Sequence, residues 1–416
     1  MKLSKIYPLL FGMWLFPVTA YPQPLGSDVE GLLDYAREHN PELAATRYEA
    51  DAATERVKPA GALPDPVLRT ELFDITNQGT NKPASLLPSG VGSTRYLFMQ
   101  SVPWFGKRDL QRKVAEAQAA EAYGQTAATW AELAGKIKSA YAMSSYLSGS
   151  TRLARETLAL MNSLEKVAQT RYANGLGLQQ EVIRAQIEQT DLQTELLELE
   201  SEQHHVHVKL NNLLSRPAEA ELAEPVRPWP AAVKLDHALL EEKLRARNPQ
   251  LQVAVSRINE AQTSRDLTYN NRYPGFTLGV APNQNGSTVK SLDLMVEFNI
   301  PLQQESRRSQ EREAEARLSA SAARQDALLN QMLSELSESV SGLETAQRTE
   351  ATIAARLLPQ AELSFQSALA GYQNGRMDFA TLLDAQRQIL KARQQHIKAQ
   401  YETQLRMAEI ERLIGE

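Results

Sequence analysis

Cysteine is absent from the 416 residues. Disulfides, thiolate metal sites, a cysteine nucleophile and a lipidated N-terminal cysteine are therefore excluded. Aromatic residues are scarce at 6%, while Ala, Leu, Gln, Glu and Arg dominate, a bias toward long helices over a compact α/β enzyme. Past the N-terminus no window holds the about 18 consecutive apolar residues that a spanning helix needs. With 42% hydrophobic and 23% charged residues, the chain is not a polytopic helical membrane protein. Its formal net charge of -5 offers nucleic acid no basic surface. There is no phosphate loop, dinucleotide glycine fingerprint, HExxH or GxSxG, so neither an enzyme nor a cofactor is expected.

Residues 1–20 place Lys2 and Lys5 ahead of an apolar run over 6–18, closed by Val18-Thr19-Ala20. That is the pattern of a secretory signal peptide. Pro8 and Pro17 within the run argue against a short buried helix.

The remainder repeats itself once, at a shift of roughly 200 positions. His39-Asn40-Pro41-Glu42-Leu43 returns as Arg247-Asn248-Pro249-Gln250-Leu251, and Lys107, Arg108 and Arg112 as Arg307, Arg308 and Arg312. Arg171-Tyr172-Ala173-Asn174-Gly175 returns as Gly371-Tyr372-Gln373-Asn374-Gly375. Several pairs in one order indicate a duplicated unit, with a first repeat over 21–216 and a second over 237–416. Residues 217–236 join them, and Pro217, Pro225, Pro228 and Pro230 keep that crossover from continuing a helix.

Each repeat predicts the same order of elements. A helix (28–57, 236–270) is broken at Asn40-Pro41 or Asn248-Pro249, because the residue before proline avoids the helical region. Two strand-like runs follow, 66–75 with 95–103 and 273–281 with 292–301, around polar loops at 76–93 and 283–291. The last run alternates strictly, with Leu292, Leu294, Val296, Phe298 and Ile300 on one face and Asp293, Met295, Glu297 and Asn299 on the other. This suits either a soluble hairpin on helices or a tilted strand crossing a bilayer. Long helical stretches come next (107–173, and 305–373 interrupted by Pro359), then glycine turns and returning helices (178–214, 378–414). About 65 residues at about 1.5 Å each make a rod near 100 Å long, thicker than any globular core. Its inward positions are mostly small, as at Ala115, Ala119 and Ala122, so it must pack sideways against many neighbours.

Four strands cannot close a barrel, which takes about eight, and open edges do not survive in lipid. Strands that span a membrane would therefore have to be pooled between copies, and three copies supply twelve. The order of elements, the Arg171-Tyr172-x-x-Gly175-Leu176 and Tyr372-x-x-Gly375 turns, and the Val182/Leu382 segments resemble the outer-membrane factors, the TolC-like exit ducts of tripartite efflux and type I secretion. Leu63-Pro64-Asp65-Pro66 and Gln100-Ser101-Val102-Pro103-Trp104-Phe105-Gly106-Lys107-Arg108 are similar to the heavy-metal efflux branch.

The resemblance implies a mainly α fold with a membrane β-barrel portion: a duplicated unit of long αα-hairpin plus β-hairpin. A homotrimer would form a twelve-stranded β-barrel in the outer membrane of a Gram-negative bacterium and a periplasmic α-helical barrel. It also implies a periplasmic adaptor (membrane fusion) protein and an inner-membrane pump of the resistance-nodulation-division type as partners. Substrate, heavy-metal cations in the metal branch, would pass out passively. A protein-secretion duct and a periplasmic coiled-coil scaffold without a membrane part are the rival readings.

By the same resemblance Asp384 lines the pore constriction, with Glu181 at the matching first-repeat position; the plainer reading is solvated helix carboxylates. Met377, with Arg376 beside it, stands where the family has an aperture-locking arginine. Asn174, Gly175, Leu176, Gly177, Asn374, Gly375 and Arg376 form the tips expected to dock the adaptor, and turn chemistry alone would also select them. Lys107, Arg108, Arg307 and Arg308 begin the rods where cations meet outer-membrane lipid phosphates or snorkel. Trp104 and Tyr273 sit near strand ends, where interfacial aromatics gather. No metal site is expected: His204 and His207 share a helix face without a clear third ligand, and Met99 and Met295 read as strand filler.

Overall fold

The computed structural model describes residues 25–79, 83–226 and 236–416. The expected signal peptide and residues 227–235 of the expected crossover lie outside them. Two helices open the described chain, α1 (Val29–His39) and α2 (Pro41–Ala60), followed by strands β1 (Val67–Phe73) and β2 (Ser93–Val102). The rod α3 (Lys107–Ala173) and the returning α4 (Gln179–Leu213) complete the first half. The second half runs in the same order: α5 (His237–Arg247), α6 (Pro249–Asn270), β3 (Phe276–Asn285), β4 (Thr288–Phe298), a rod of α7 (Gln304–Thr352) and α8 (Leu358–Gln373), and α9 (Phe379–Ile414).

The Asn-Pro pairs do more than interrupt a helix. Asn40 Oδ1 accepts from the Leu43 amide at 3.1 Å, capping α2, while its Nδ2 donates to the Leu213 carbonyl at 3.0 Å. Asn248 caps α6 through Leu251 and donates to the Leu413 carbonyl at 2.8 Å. In both halves one buried asparagine satisfies a helix start and ties it to the end of the returning helix.

The first rod is continuous for 67 residues, about 100 Å. The second is interrupted by a π-helical turn, Ile353–Leu357. Pro359 has no amide hydrogen and its ring crowds the carbonyl four residues earlier, so the preceding turn widens.

The strands form one antiparallel sheet in the order β1-β2-β3-β4, and the β2–β3 pair joins the halves. Register aligns Leu68 with Phe98, Phe98 with Val280, and Val280 with Leu294. Leu278 with Val296 and Phe276 with Phe298 extend the same face. Leu294 is 81% exposed and Phe298 60%, so the apolar face is bare in the single chain. The opposite face carries Arg95 paired with Asp293 at 3.8 Å, and Asn283, which donates to Asp293 at 2.7 Å and Ser291 at 2.9 Å.

The 283–291 loop expected from sequence shrinks to a turn at Gly286-Ser287, because β3 runs to Asn285 and β4 begins at Thr288. Asparagine and glycine there read as loop, but cross-strand pairing of Gln284 with Val289 overrides that local bias. Among the described residues, no helix is long and apolar enough to cross a membrane.

Candidate functional site: the paired helical tips

Each rod ends in the same six-residue device. The Leu176 amide donates to the Arg171 carbonyl and the Gly175 amide to the Tyr172 carbonyl; in the second half Arg376 donates to Gly371 and Gly375 to Tyr372. Gly175 at φ 71° and Gly375 at φ 68° are left-handed, a conformation that costs any side-chain-bearing residue. Asn174 and Asn374 donate to the Thr170 and Ala370 carbonyls, covering further helix-end oxygens.

The two tips then diverge. Asp378 caps α9, accepting from the Thr381 amide at 2.8 Å. Hydrogen bonds from the Thr381 side chain and backbone hold its carboxyl below the usual range. Leu178, at the same place before α4, supplies no side-chain cap and is 66% exposed. Leu176 and Tyr172 are exposed beside it, so the first tip is apolar while the second carries Arg376.

Tyr372 and Phe379 are fully buried between the tips, their rings meeting edge to face at 5.5 Å. They belong to one apolar cluster with Met161, Leu164, Ala185, Leu382 and Leu383, drawn from both halves. Arg171 lays its guanidinium over the Tyr372 ring at 4.8 Å and donates to the Tyr372 carbonyl at 3.0 Å and the Leu176 carbonyl at 3.2 Å. The Tyr372 phenol donates to Glu181 Oε2 at 2.9 Å. Burial first, and then Glu181, push that phenol above its usual pKa. Sequence reading placed Arg171 and Tyr372 in the turn motif only. The signal was their asymmetry, since Arg171 faces Gly371 in the repeat alignment.

Glu181 is thus engaged within the chain, whereas Asp384 is exposed, one helical turn before Arg387. Arg387 is paired with Glu188. Its pKa is raised first by that bond and further by the nearby Asp384 and Asp191 charges. Acidic and basic groups therefore alternate along the surface where α9 passes α4.

At the opposite end of the rods, Arg108 Nε donates to the Gly61 carbonyl at 2.9 Å, at the end of α2. Arg307 donates to the Asn271 carbonyl, at the end of α6. Each arginine offsets the negative end of the preceding helix. Arg308 is exposed and Lys107 half-buried. Trp104 and Tyr273 stack on one another at 5.2 Å, and Phe105 beside them is 75% exposed. The described residues contain no cluster of metal-ligating His, Asp or Glu.

Rods of this length, capped by a sheet with a bare apolar face and ended by paired glycine tips, define a trans-envelope duct subunit. The family model described as "Outer membrane efflux protein" matches residues 32–216 and 240–416, and the chain belongs to that family of outer-membrane channels. The cobalt-zinc-cadmium resistance protein CzcC of Cupriavidus metallidurans is 22% identical over 398 residues, covering 93% of this chain and 90% of its own. Among solved structures, the outer-membrane channel OprN superposes with a TM-score of 0.78 at 19% identity, covering 93% of this chain and 89% of that one. The outer membrane protein VceC from Vibrio cholerae gives 0.77 at 18%, with 93% and 96% covered. CusC gives 0.76 at 14%, with 93% and 91% covered. The fold is the one these channels share.

Proposed function

We propose that three copies form a passive exit duct that conducts heavy-metal cations from a periplasmic adaptor and an inner-membrane pump, of the resistance-nodulation-division type, to the cell exterior. The observation that carries this reading is the four-stranded sheet, apolar on one face and open at the edge strands β1 and β4. Unpaired edge amides and carbonyls are not tolerated in lipid, and four strands fall short of a barrel. Pairing β4 of one copy with β1 of the next removes every edge and turns the Arg95–Asp293 face inward. The repeats, 21–216 and 237–416 about the 217–236 crossover, each supply one β-hairpin and one αα-hairpin to that assembly. Likeness to a cobalt-zinc-cadmium resistance protein supports metal ions as cargo.

In this duct Asp384 lines the periplasmic constriction as an acidic ring that concentrates cations. Glu181, through Tyr372, holds the two tips together beside it. Asn174, Gly175, Leu176, Gly177, Asn374, Gly375 and Arg376 meet the adaptor. Lys107, Arg108, Arg307 and Arg308, with Trp104 and Tyr273, mark the periplasmic lipid boundary, where Lys107 and Arg308 snorkel to phosphates while Arg108 and Arg307 cap the preceding helices. The conduit itself performs no catalysis.

Native mass spectrometry of detergent-extracted protein should give three chains per particle, and a stable folded monomer would overturn the assembly. In cells lacking their own duct, expression with its matching adaptor and pump should raise the tolerated concentrations of zinc, cobalt and cadmium. Restored secretion of a protein substrate without any change in metal tolerance would favour a type I duct instead.

A further inference from the structure

The β1–β2 connection is long, and its descending limb is built. Asn77 donates to the Pro83 carbonyl at 2.7 Å and to the Gly90 carbonyl at 2.8 Å, drawing the two limbs together. The Ser85 amide donates to the Ile75 carbonyl at 2.9 Å, and the Gly90 amide to the Leu87 carbonyl at 2.8 Å. Ser85 Oγ accepts from the Leu87 amide at 3.1 Å. A Cβ at Gly90 would stand 2.9 Å from Ser85 Cβ, so the close turn admits only glycine there. The result is a compact turn with Leu86 and Leu87 at its outside, 75% and 69% exposed, while Val91 and Thr94 behind it are buried.

The turn returns to one particular side of the sheet. Thr94 Oγ1 donates to the Pro88 carbonyl at 2.9 Å. Thr94 lies in β2 an even number of residues from Phe98, so both side chains leave the same face. That face is the apolar one, carrying Leu68, Phe98, Val280 and Leu294 in a row. Pro88 and its neighbours therefore extend the apolar band beyond the start of β2.

We infer that Leu86 and Leu87 form an apolar finger that inserts among the acyl chains of the outer leaflet and anchors the exterior rim of the barrel. Continuity with the bare apolar band selects lipid as the occupant: the turn emerges on the face that meets hydrocarbon. Two adjacent leucines held outward by a closed turn repel water and gain from acyl chains. The inference rests on the barrel reading above.

The test uses the full-length protein in liposomes, with single cysteines carrying an environment-sensitive fluorophore. Leu86→Cys is probed with nitroxide-labelled acyl chains and with aqueous iodide. Leu87→Cys repeats the measurement should the first substitution disturb the turn. Leu294→Cys reports the middle of the apolar band, and Asn285→Cys the exposed β3–β4 turn. Positions 86 and 87 should be quenched by acyl nitroxide as strongly as 294 and shielded from iodide relative to 285. Quenching by iodide alone places the turn in water and overturns the inference. Protection from both quenchers places it against another copy and overturns it equally. If position 294 itself escapes the acyl quencher, the barrel reading fails first, and that outcome is distinguishable from failure of the finger alone.

Discussion

Tyr372 donates to Glu181 at 2.9 Å across 191 residues of chain, so that a fully buried phenol on one tip is tied to a carboxylate on the other. Arg171 covers the same ring from the first half. One side chain thus collects a hydrogen bond and a cation contact from the opposite repeat, inside an apolar cluster that both repeats build.

Tyr372→Phe keeps the ring and removes only the tie to Glu181. One hydrogen bond to a partly exposed carboxylate contributes about 1 kcal/mol, enough to loosen the tips without unfolding them. Single-channel recording in planar bilayers should show a higher open probability, and an unchanged one would remove Tyr372 from the closing contact. The raised phenol pKa makes this tie insensitive to moderate alkali. It is intact below the unfolded phenol value of 10.0 and lost only as pH rises through the folded one.

Asp384→Ala should shift the reversal potential toward zero across a salt gradient and raise conductance at rest. In the proposed trimer three carboxylates would stand near one axis and attract cations, with Arg387, engaged with Glu188, compensating them only in part. Wild-type selectivity in the variant would show that Asp384 does not line the constriction.

Lys138 is 8% exposed and paired with Glu411, joining α3 to α9. Burial raises the Glu411 pKa despite that partner. Lys138→Met strands a buried carboxylate and should cost about 3 kcal/mol at neutral pH. A raised carboxyl pKa gives its full contribution below the unfolded value of 4.5 and loses it as pH rises through the folded one. The variant should therefore regain stability on acidification. Thermal unfolding followed by circular dichroism between about pH 4 and pH 8 checks this, and Lys138→Met with Glu411→Leu should recover most of the loss. A single variant as stable as the parent at neutral pH would contradict the account.

Asp378→Ala should fray the start of α9 and leave α4 unaffected, since only the second tip has a side-chain cap. The Asp378 carboxyl pKa is depressed, so its contribution is present above the unfolded value of 3.8 and lost as pH falls through the folded one. A lower protection factor at the Thr381 amide, in the variant at neutral pH and in the parent protein in acid, is the expected observation. Equal protection in both proteins at neutral pH would show that the cap does not hold the tip.

The local features were legible because their causes are local. Proline and asparagine end a helix wherever they stand, and the observed breaks at Asn40 and Asn248 follow. A glycine after asparagine closes a rod without help from afar, and the first rod, Lys107–Ala173, spans the residues its uninterrupted pattern predicts. Alternation likewise marked the two faces of β4. It made the β3–β4 connection too long, a loop over 283–291, since Gln284 and Asn285 enter the ladder only through cross-strand partners.

Partner choice was decided by the tertiary structure alone. Periodicity says that a helix has an apolar face, and many helices present the same kind of face, so it does not say which one covers it. That α3 meets α9 through Lys138 and Glu411, that Arg171 lies on Tyr372, and that Asn40 reaches Leu213 are long-range choices. Hydrophobic burial is nondirectional. Shape, register and the few polar groups that must find a partner select one packing from the many that the same sequence pattern allows.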